Sequence, residues 1–150
     1  MEVLDDPSVA DASQVHRVVL ASGKIAHEAM QRRDERIGGG GPAPVVAASL
    51  VSPYPASEVA VVRVEQLYPW PERRIADALA RYPAAVEVVW LQEEPENMGA
   101  WSFVHARLHR ILRDRYTLLH VSRRESASPA TGSGTLHQLE QAELLDRAIG

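Results

Sequence analysis

Cysteine is missing altogether, which removes disulfides, thiolate nucleophiles and cysteine-ligated zinc or iron–sulfur centres from consideration. Lysine is almost missing: of 16 basic residues only Lys24 is a lysine, the others being arginines. That imbalance reads as coding bias more than as a binding device. No stretch approaches the ~18 uninterrupted apolar residues of a membrane-spanning helix. Glu2, Asp5 and Asp6 make the start acidic, where a secretory leader is basic and then apolar. A soluble, cytoplasmic chain with no membrane partner is expected. The formal charge of −4 lacks the basic excess of a phosphate-binding surface, so no nucleic-acid partner is expected. What is present is 150 residues, 45% of them hydrophobic. A chain of that size buries about two thirds of its unfolded surface, which suits one globular domain over residues 1–150.

The apolar pattern alternates between two periods. Val15 to Ala21 is a β-branched run typical of a buried strand, and Ser22-Gly23-Lys24 turns it into a helix on which Ile25, Ala29 and Met30 recur. Charged residues from Gln31 to Arg36 cover its last turns. Residues 37–57 hold four consecutive glycines and several prolines, the composition of a flexible insertion; Val45 to Val51 fits either an edge strand or an ordered part of it. Val59 to Val64 is a nearly continuous apolar strand, as expected where helices cover both faces. Pro71 suits the first turn of a helix with Ile75, Ala76, Leu79 and Tyr82 on one face. Val86 to Leu91 is a third strand. Asn97 to Arg113 is the strongest helix, with Trp101, Val104, Leu108, Ile111 and Leu112 as its stripe and Asn97 as its cap. Thr117 to Val121 is a fourth strand, Ser122 to Gly134 a small-residue loop, and Leu136, Leu139, Ala142, Leu145 and Ile149 the stripe of a last helix. The alternation predicts an α/β fold: a three-layer, mainly parallel sheet of four to five strands with helices on both faces. Ligands in such sheets lie beyond the C-terminal strand ends.

Several groups there could carry chemistry. Ser22-Gly23-Lys24 opens a helix, where amides and a lysine attract phosphate, but with no dinucleotide fingerprint or P-loop a glycine simply making the turn is the plainer reading. Glu93, Glu94 and Glu96 put three carboxylates at a strand end, suited to acid–base work or metal ligation; the plainer reading is structural, with Glu94 and Glu96 before a helix N-terminus that stabilises each by about 0.3 to 1 kcal/mol. His105 and His109 have the spacing of a shared metal, but no HExxH accompanies them; surface histidines are the plainer reading. The serines of residues 126–133 form no G-x-S-x-G elbow, leaving a phosphate nest or a tight connection. The pairs Arg73-Arg74 and Arg123-Arg124 suit an anion or a solvated face. From residues alone, this is an α/β domain without a convincing catalytic centre.

Three strings together resemble the C-terminal domain of the thiamine-diphosphate-dependent 2-oxoglutarate dehydrogenase decarboxylating component, of the transketolase-like superfamily. Gln92-Glu93-Glu94-Pro95-Glu96-Asn97-Met98-Gly99-Ala100-Trp101 is similar to that family's QEEPxNMGAW. Val61 to Pro71 resembles its IVRIEQLYPFP, and Ser126 to Ser133 with His137, Glu140 and Gln141 resembles its closing SASPATGS…H…EQ. The likeness covers nearly the whole chain; the Gly38 to Ser57 stretch departs from it.

The resemblance implies a transketolase C-terminal-domain-like fold, no catalytic residue and no metal or cofactor in this chain. Thiamine diphosphate and Mg are expected in the other domains, which carry a GDG motif absent here. Expected partners are the remaining domains of the same enzyme, a second copy in a homodimer, and the lipoyl-bearing succinyltransferase. The implied work is dimer packing and regulation of oxidative decarboxylation in the tricarboxylic acid cycle, on 2-oxoglutarate or the related 2-oxoadipate. The arginine-rich composition suits the actinobacterial multifunctional branch, in which acetyl-CoA is an allosteric activator. By that analogy Ser22, Gly23, Lys24, Arg73, Arg74 and Gln92 are the candidate acyl-CoA site. The alternative is a free-standing module that binds an acyl-CoA or adenine nucleotide without enzymatic activity.

Overall fold

The computed structural model describes residues 2–124 and 134–150. Four strands with β-branched, doubly covered sequences lie parallel: β2 (Arg17–Ala21), β3 (Val59–Val64), β4 (Glu87–Pro95) and β5 (Thr117–Arg123). A two-residue strand, β1 (Val3–Leu4), adds an antiparallel edge against β3 that the polar N-terminal sequence did not announce. The order across the sheet is β1-β3-β2-β4-β5.

Alternate side chains of each strand feed opposite faces. Val18, Leu20, Ala60, Val62, Val88 and Trp90 pack in one core with Ile75 and Leu79 of α2 (Glu72–Ala80) and Val104, Leu108 and Leu112 of α3 (Trp101–Leu112). Val19, Ala21, Val61, Val89 and Leu91 pack in the other with Ile25 and Ala29 of α1 (Lys24–Ile37) and Leu144, Leu145 and Ala148 of α4 (Gly134–Ala148). The strands are therefore covered on both sides, which is why they read as continuous apolar runs.

Several expectations need correction in detail. On α2 it is Ala78 that is buried, while Ala76 faces out. Helix α3 starts at Trp101 with Ala100 as its cap, because the chain from Pro95 is held in a turn, so Asn97 is not the cap. Strand β4 runs on to Pro95. Of the expected last stripe, Leu145 of α4 and Ile149 just after it are buried, but Leu136 and Leu139 are exposed, and α4 buries Gln141, Leu144 and Asp146 instead. The charged end of α1 does not simply cover its last turns either: Arg32 and Arg33 are buried.

Those arginines explain how the chain ends are tied down. Arg33 pairs with Asp6, whose carboxylate also accepts the Val61 amide at 2.8 Å. Arg32 pairs with Asp146 at 2.6 Å, and Asp146 accepts the Val45 amide at 2.6 Å. Val45 to Val51 is not a strand; it is irregular, with a 3-10 turn over Ala48–Leu50, and the Ser52 amide donates to the Asp146 carbonyl at 3.1 Å. The segment between α1 and β3 thus lies against the end of α4. At the same end of α4, Arg17, the first residue of β2, donates to the carbonyls of Arg147 and Ala148 and to Glu87. It thereby occupies the unpaired carbonyl end of α4.

Candidate functional site at the switch point of the sheet

Strand β2 has β3 on one side and β4 on the other. Helix α1 leaves β2 on one face of the sheet and leads to β3; α3 leaves β4 on the other face and leads to β5. The C-terminal ends of β2 and β4 are therefore where the connections diverge, the place at which an open α/β sheet leaves a crevice. The turn that opens it contains Gly23 at φ +71°, a left-handed conformation that a side chain would strain; this is the physical reason for glycine there.

On the α1/α4 side the crevice holds a polar chain. Lys24 pairs with Glu28 at 2.8 Å across one helical turn. The hydrogen bond and charge of Glu28, and then the charge of Glu93, push the Lys24 ammonium above its ordinary value. Burial alone would raise the Glu28 carboxyl, but hydrogen bonds from Lys24 and Gln141 outweigh it and hold it below its usual range. Gln141 of α4 donates to both Glu28 and Glu93, and its carbonyl oxygen accepts from Arg123 at 3.0 Å. Arg123 also contacts His137 at 3.0 Å and lies 3.5 Å from Glu140. One amide side chain thus links the ends of β2, β4 and β5 through α1 and α4.

The signature string does its work on the other face. Gln92 is buried, and its side-chain oxygen accepts from Trp90 Nε1 at 3.0 Å and from the Trp101 amide at 2.9 Å. Its nitrogen donates to the carbonyls of Glu94 and Pro95 at 3.2 and 3.0 Å. All four hydrogen-bonding positions of the amide are filled. Gly99 lies so close that a Cβ there would sit 2.6 Å from the Gln92 amide. Pro95 is buried, and the amides of Met98 and Gly99 close the turn onto its carbonyl at 2.9 and 3.3 Å. Ala100 and Trp101 then start α3. The conjunction of Gln92, Pro95, Gly99 and Trp101 in one string is a folded-back cap. Glu93 alone of its carboxylates joins the Gln141 chain; Glu94 is exposed, and Glu96 lies 3.5 Å from His120. Trp101 stacks on His120 with ring centroids 4.4 Å apart, and His105 lies against both Trp101 and His109.

The six residues of the candidate acyl-CoA set come to one edge of the sheet but not to one face. Ser22, Gly23 and Lys24 open α1. Arg73 and Arg74 lie in the first turn of α2, across the sheet, exposed; neither pairs with a carboxylate among the described residues. Gln92 is buried on the α3 face. The serine-rich string, residues 126–133, lies outside the described residues. Among the described residues, no three His, Asp or Glu side chains are grouped to hold a metal ion, and the sequence contains no GDG. The donor set of the described residues does not fit a thiamine diphosphate–magnesium site. Among the described residues no helix is long and apolar enough to cross a membrane.

Sequence reading passed over Glu28, His137 and Gln141 as a unit. Only the closing H…EQ spacing pointed to it, since Gln141 meets Glu28 from 113 positions away.

Comparison with known proteins agrees with the layout. A family model described as 2-oxoglutarate dehydrogenase C-terminal matches residues 50–149. The 2-oxoglutarate dehydrogenase E1/E2 component of Corynebacterium glutamicum is 39% identical over 147 residues, covering 98% of this chain and 11% of that protein. The 2-oxoglutarate dehydrogenase E1 component of Cupriavidus necator is 37% identical over 147 residues, covering 98% of this chain and 14% of that protein. The multifunctional 2-oxoglutarate metabolism enzyme of Mycobacterium sp. (strain KMS) is 36% identical over 152 residues, again 98% of this chain and 11% of that protein. The chain spans only 11% to 14% of the length of these relatives.

Proposed function

The chain belongs to the 2-oxoglutarate dehydrogenase C-terminal family, and from that premise we propose that it serves as the non-catalytic C-terminal unit of a cytoplasmic, thiamine-diphosphate-dependent 2-oxoglutarate dehydrogenase. The observation that carries this is the match over nearly the whole chain to a small fraction of much longer enzymes. Decarboxylation of 2-oxoglutarate belongs to the other domains of that enzyme, which bind thiamine diphosphate and Mg, and the succinyl group goes to the lipoyl arm of a succinyltransferase. This unit packs a homodimer and tunes activity.

The tuning site is an acyl-CoA site at the C-terminal edge, on Ser22, Gly23, Lys24, Arg73 and Arg74. Its support is positional. The Ser22 turn follows β2, and the arginines follow the adjacent β3, so a ligand draped over that edge reaches both. Guanidinium groups with no partner among the described residues can make charge-assisted hydrogen bonds to phosphate. Gln92 supports the edge from below through the cap it closes. The test is calorimetric titration of acetyl-CoA into the chain. Binding is expected, with at least a tenfold loss in Arg73→Ala/Arg74→Ala and an unchanged circular dichroism spectrum. Equal affinity in the variant removes the arginines from the site, and no binding at millimolar ligand removes the site.

A further inference from the structure

A run of rings lies along one face of α3. Trp101, His105 and His109 recur at every fourth position, so they sit on successive turns of the same side of the helix. His120 of β5 extends the run by stacking on Trp101. The Trp101 and His105 centroids are 4.8 Å apart, and those of His105 and His109 are 4.7 Å apart with their planes perpendicular. Both histidines of α3 are exposed. Among the described residues neither makes a hydrogen bond or an ion pair, so no described group competes for their nitrogens.

We propose that His105 and His109 together chelate one divalent transition cation, binding Cu(II) more tightly than Zn(II). The separation of the rings carries this. A ring centre lies about 3.2 Å from a cation that its nitrogen binds at roughly 2.0 to 2.1 Å, so two rings on one cation have centres about 4.5 Å apart at a right angle and about 5.2 Å apart at the tetrahedral angle. The observed 4.7 Å falls between these values. Turning an exposed imidazole about its Cβ–Cγ bond leaves its centre nearly in place, and that torsion is broad, so a nitrogen of each ring reaches the common point without a shift of the helix. Trp101 packs against the other side of His105 and restricts its ring, which lessens the ordering that binding costs.

Imidazole suits both metals, and the divalent affinity order places Cu(II) above Zn(II). No third His, Asp or Glu is grouped with the pair among the described residues, so the site is open and water, or a ligand from outside the chain, completes the coordination. Arg110 and Arg113 follow closely and are exposed; their charge opposes the cation, and salt screens that opposition. The pair belongs to the α3 face, across the sheet from Lys24, and its test is independent of acyl-CoA binding.

The experiment is calorimetric titration of Cu(II) and of Zn(II) into the chain free of any purification tag, with tryptophan fluorescence read alongside. One equivalent of Cu(II) is expected to bind and to quench Trp101, which touches His105, so that most of the quenching disappears in Trp101→Phe. His105→Gln and His109→Gln should each weaken Cu(II) binding at least about tenfold, because a lone imidazole loses the benefit of a second ligand held at high effective concentration. Both should keep the circular dichroism spectrum of the parent chain, and His120→Gln should keep its affinity. No binding up to millimolar Cu(II), binding that survives His105→Gln/His109→Gln, or a loss in His120→Gln as large as that in the pair overturns the proposal.

Discussion

Removing the Gln92 amide tests how the signature string works. In Gln92→Ala, the Trp90 indole N–H is left in a site where Trp90 is 1% exposed, the Trp101 amide and the Glu94 carbonyl lose this partner, and the Pro95 carbonyl loses one of its three donors. An orphaned buried polar group costs about 1 to 3 kcal/mol. Trp101 and Glu94 are partly open to water and the Pro95 carbonyl keeps the Met98 and Gly99 amides, so the Trp90 donor carries the full penalty and the vacated side-chain volume adds to it; about 2 to 4 kcal/mol is expected. That is a large share of the roughly 5 to 15 kcal/mol that hold a domain of ordinary stability. Gly99→Ala attacks the same contact from the other side. Its new Cβ falls 2.6 to 2.7 Å from three atoms of the Gln92 amide, which four hydrogen bonds prevent from swinging away. Overpacking of that kind costs about 1 to 3 kcal/mol. In Gln92→Ala/Gly99→Ala the clashing group is gone, so the double variant should be less destabilised than the sum of the singles by at least about 1 kcal/mol. Urea denaturation followed by tryptophan fluorescence gives all three values. Additivity within about 0.5 kcal/mol would refute the fold-back cap, as would a Gly99→Ala variant of wild-type stability.

Arg17→Ala leaves two α4 carbonyls and Glu87 without their partner, and should cost about 3 kcal/mol in thermal unfolding; Arg17→Lys, which lacks the fork, should recover little of it. Asp146→Ala strands Arg32, itself 6% exposed, at a cost of about 3 to 5 kcal/mol, and hydrogen exchange should accelerate at Val45, whose amide it accepts. Burial, and then the hydrogen bond and charge of Asp5, push the Tyr82 phenol above its ordinary value. Its contribution is therefore complete below the usual tyrosine range and is lost as pH rises beyond it, so Tyr82→Phe should flatten the alkaline limb of a stability–pH curve. Glu28 is held low despite its burial by hydrogen bonds from Lys24 and Gln141; its contribution is present above the ordinary carboxylate range and fades as pH falls through the lowered value. Glu28→Gln should flatten the acid limb.

The framework was legible because it is local. Val59 to Val64 reads as a doubly covered strand from its own six residues, and Val104, Leu108 and Leu112 show their stripe without outside help. What escaped depended on partners far away in sequence. Nothing local says that Arg33 will be buried, since the carboxylate that permits it is Asp6, 27 positions earlier. Leu136 and Leu139 fit a helical stripe as well as Leu144 and Leu145 do; the choice is made by where β4 and β5 lie. Helix α3 starts late because Gln92 reaches across the turn to the Trp101 amide, a bond between residues that no capping pattern pairs. Of the site, the turn at Gly23 was readable from its strand–glycine–helix context. Glu28, Arg123 and Gln141 meet only once the order of β2, β4 and β5 is known.

The most direct measurement is the size of the native polypeptide, read with an antibody raised to this chain against an extract of the cells that make it. A working unit of a 2-oxoglutarate dehydrogenase predicts a band several times larger than the 16.5 kDa of these residues. A single band at 16.5 kDa would contradict it and make the chain a free-standing module.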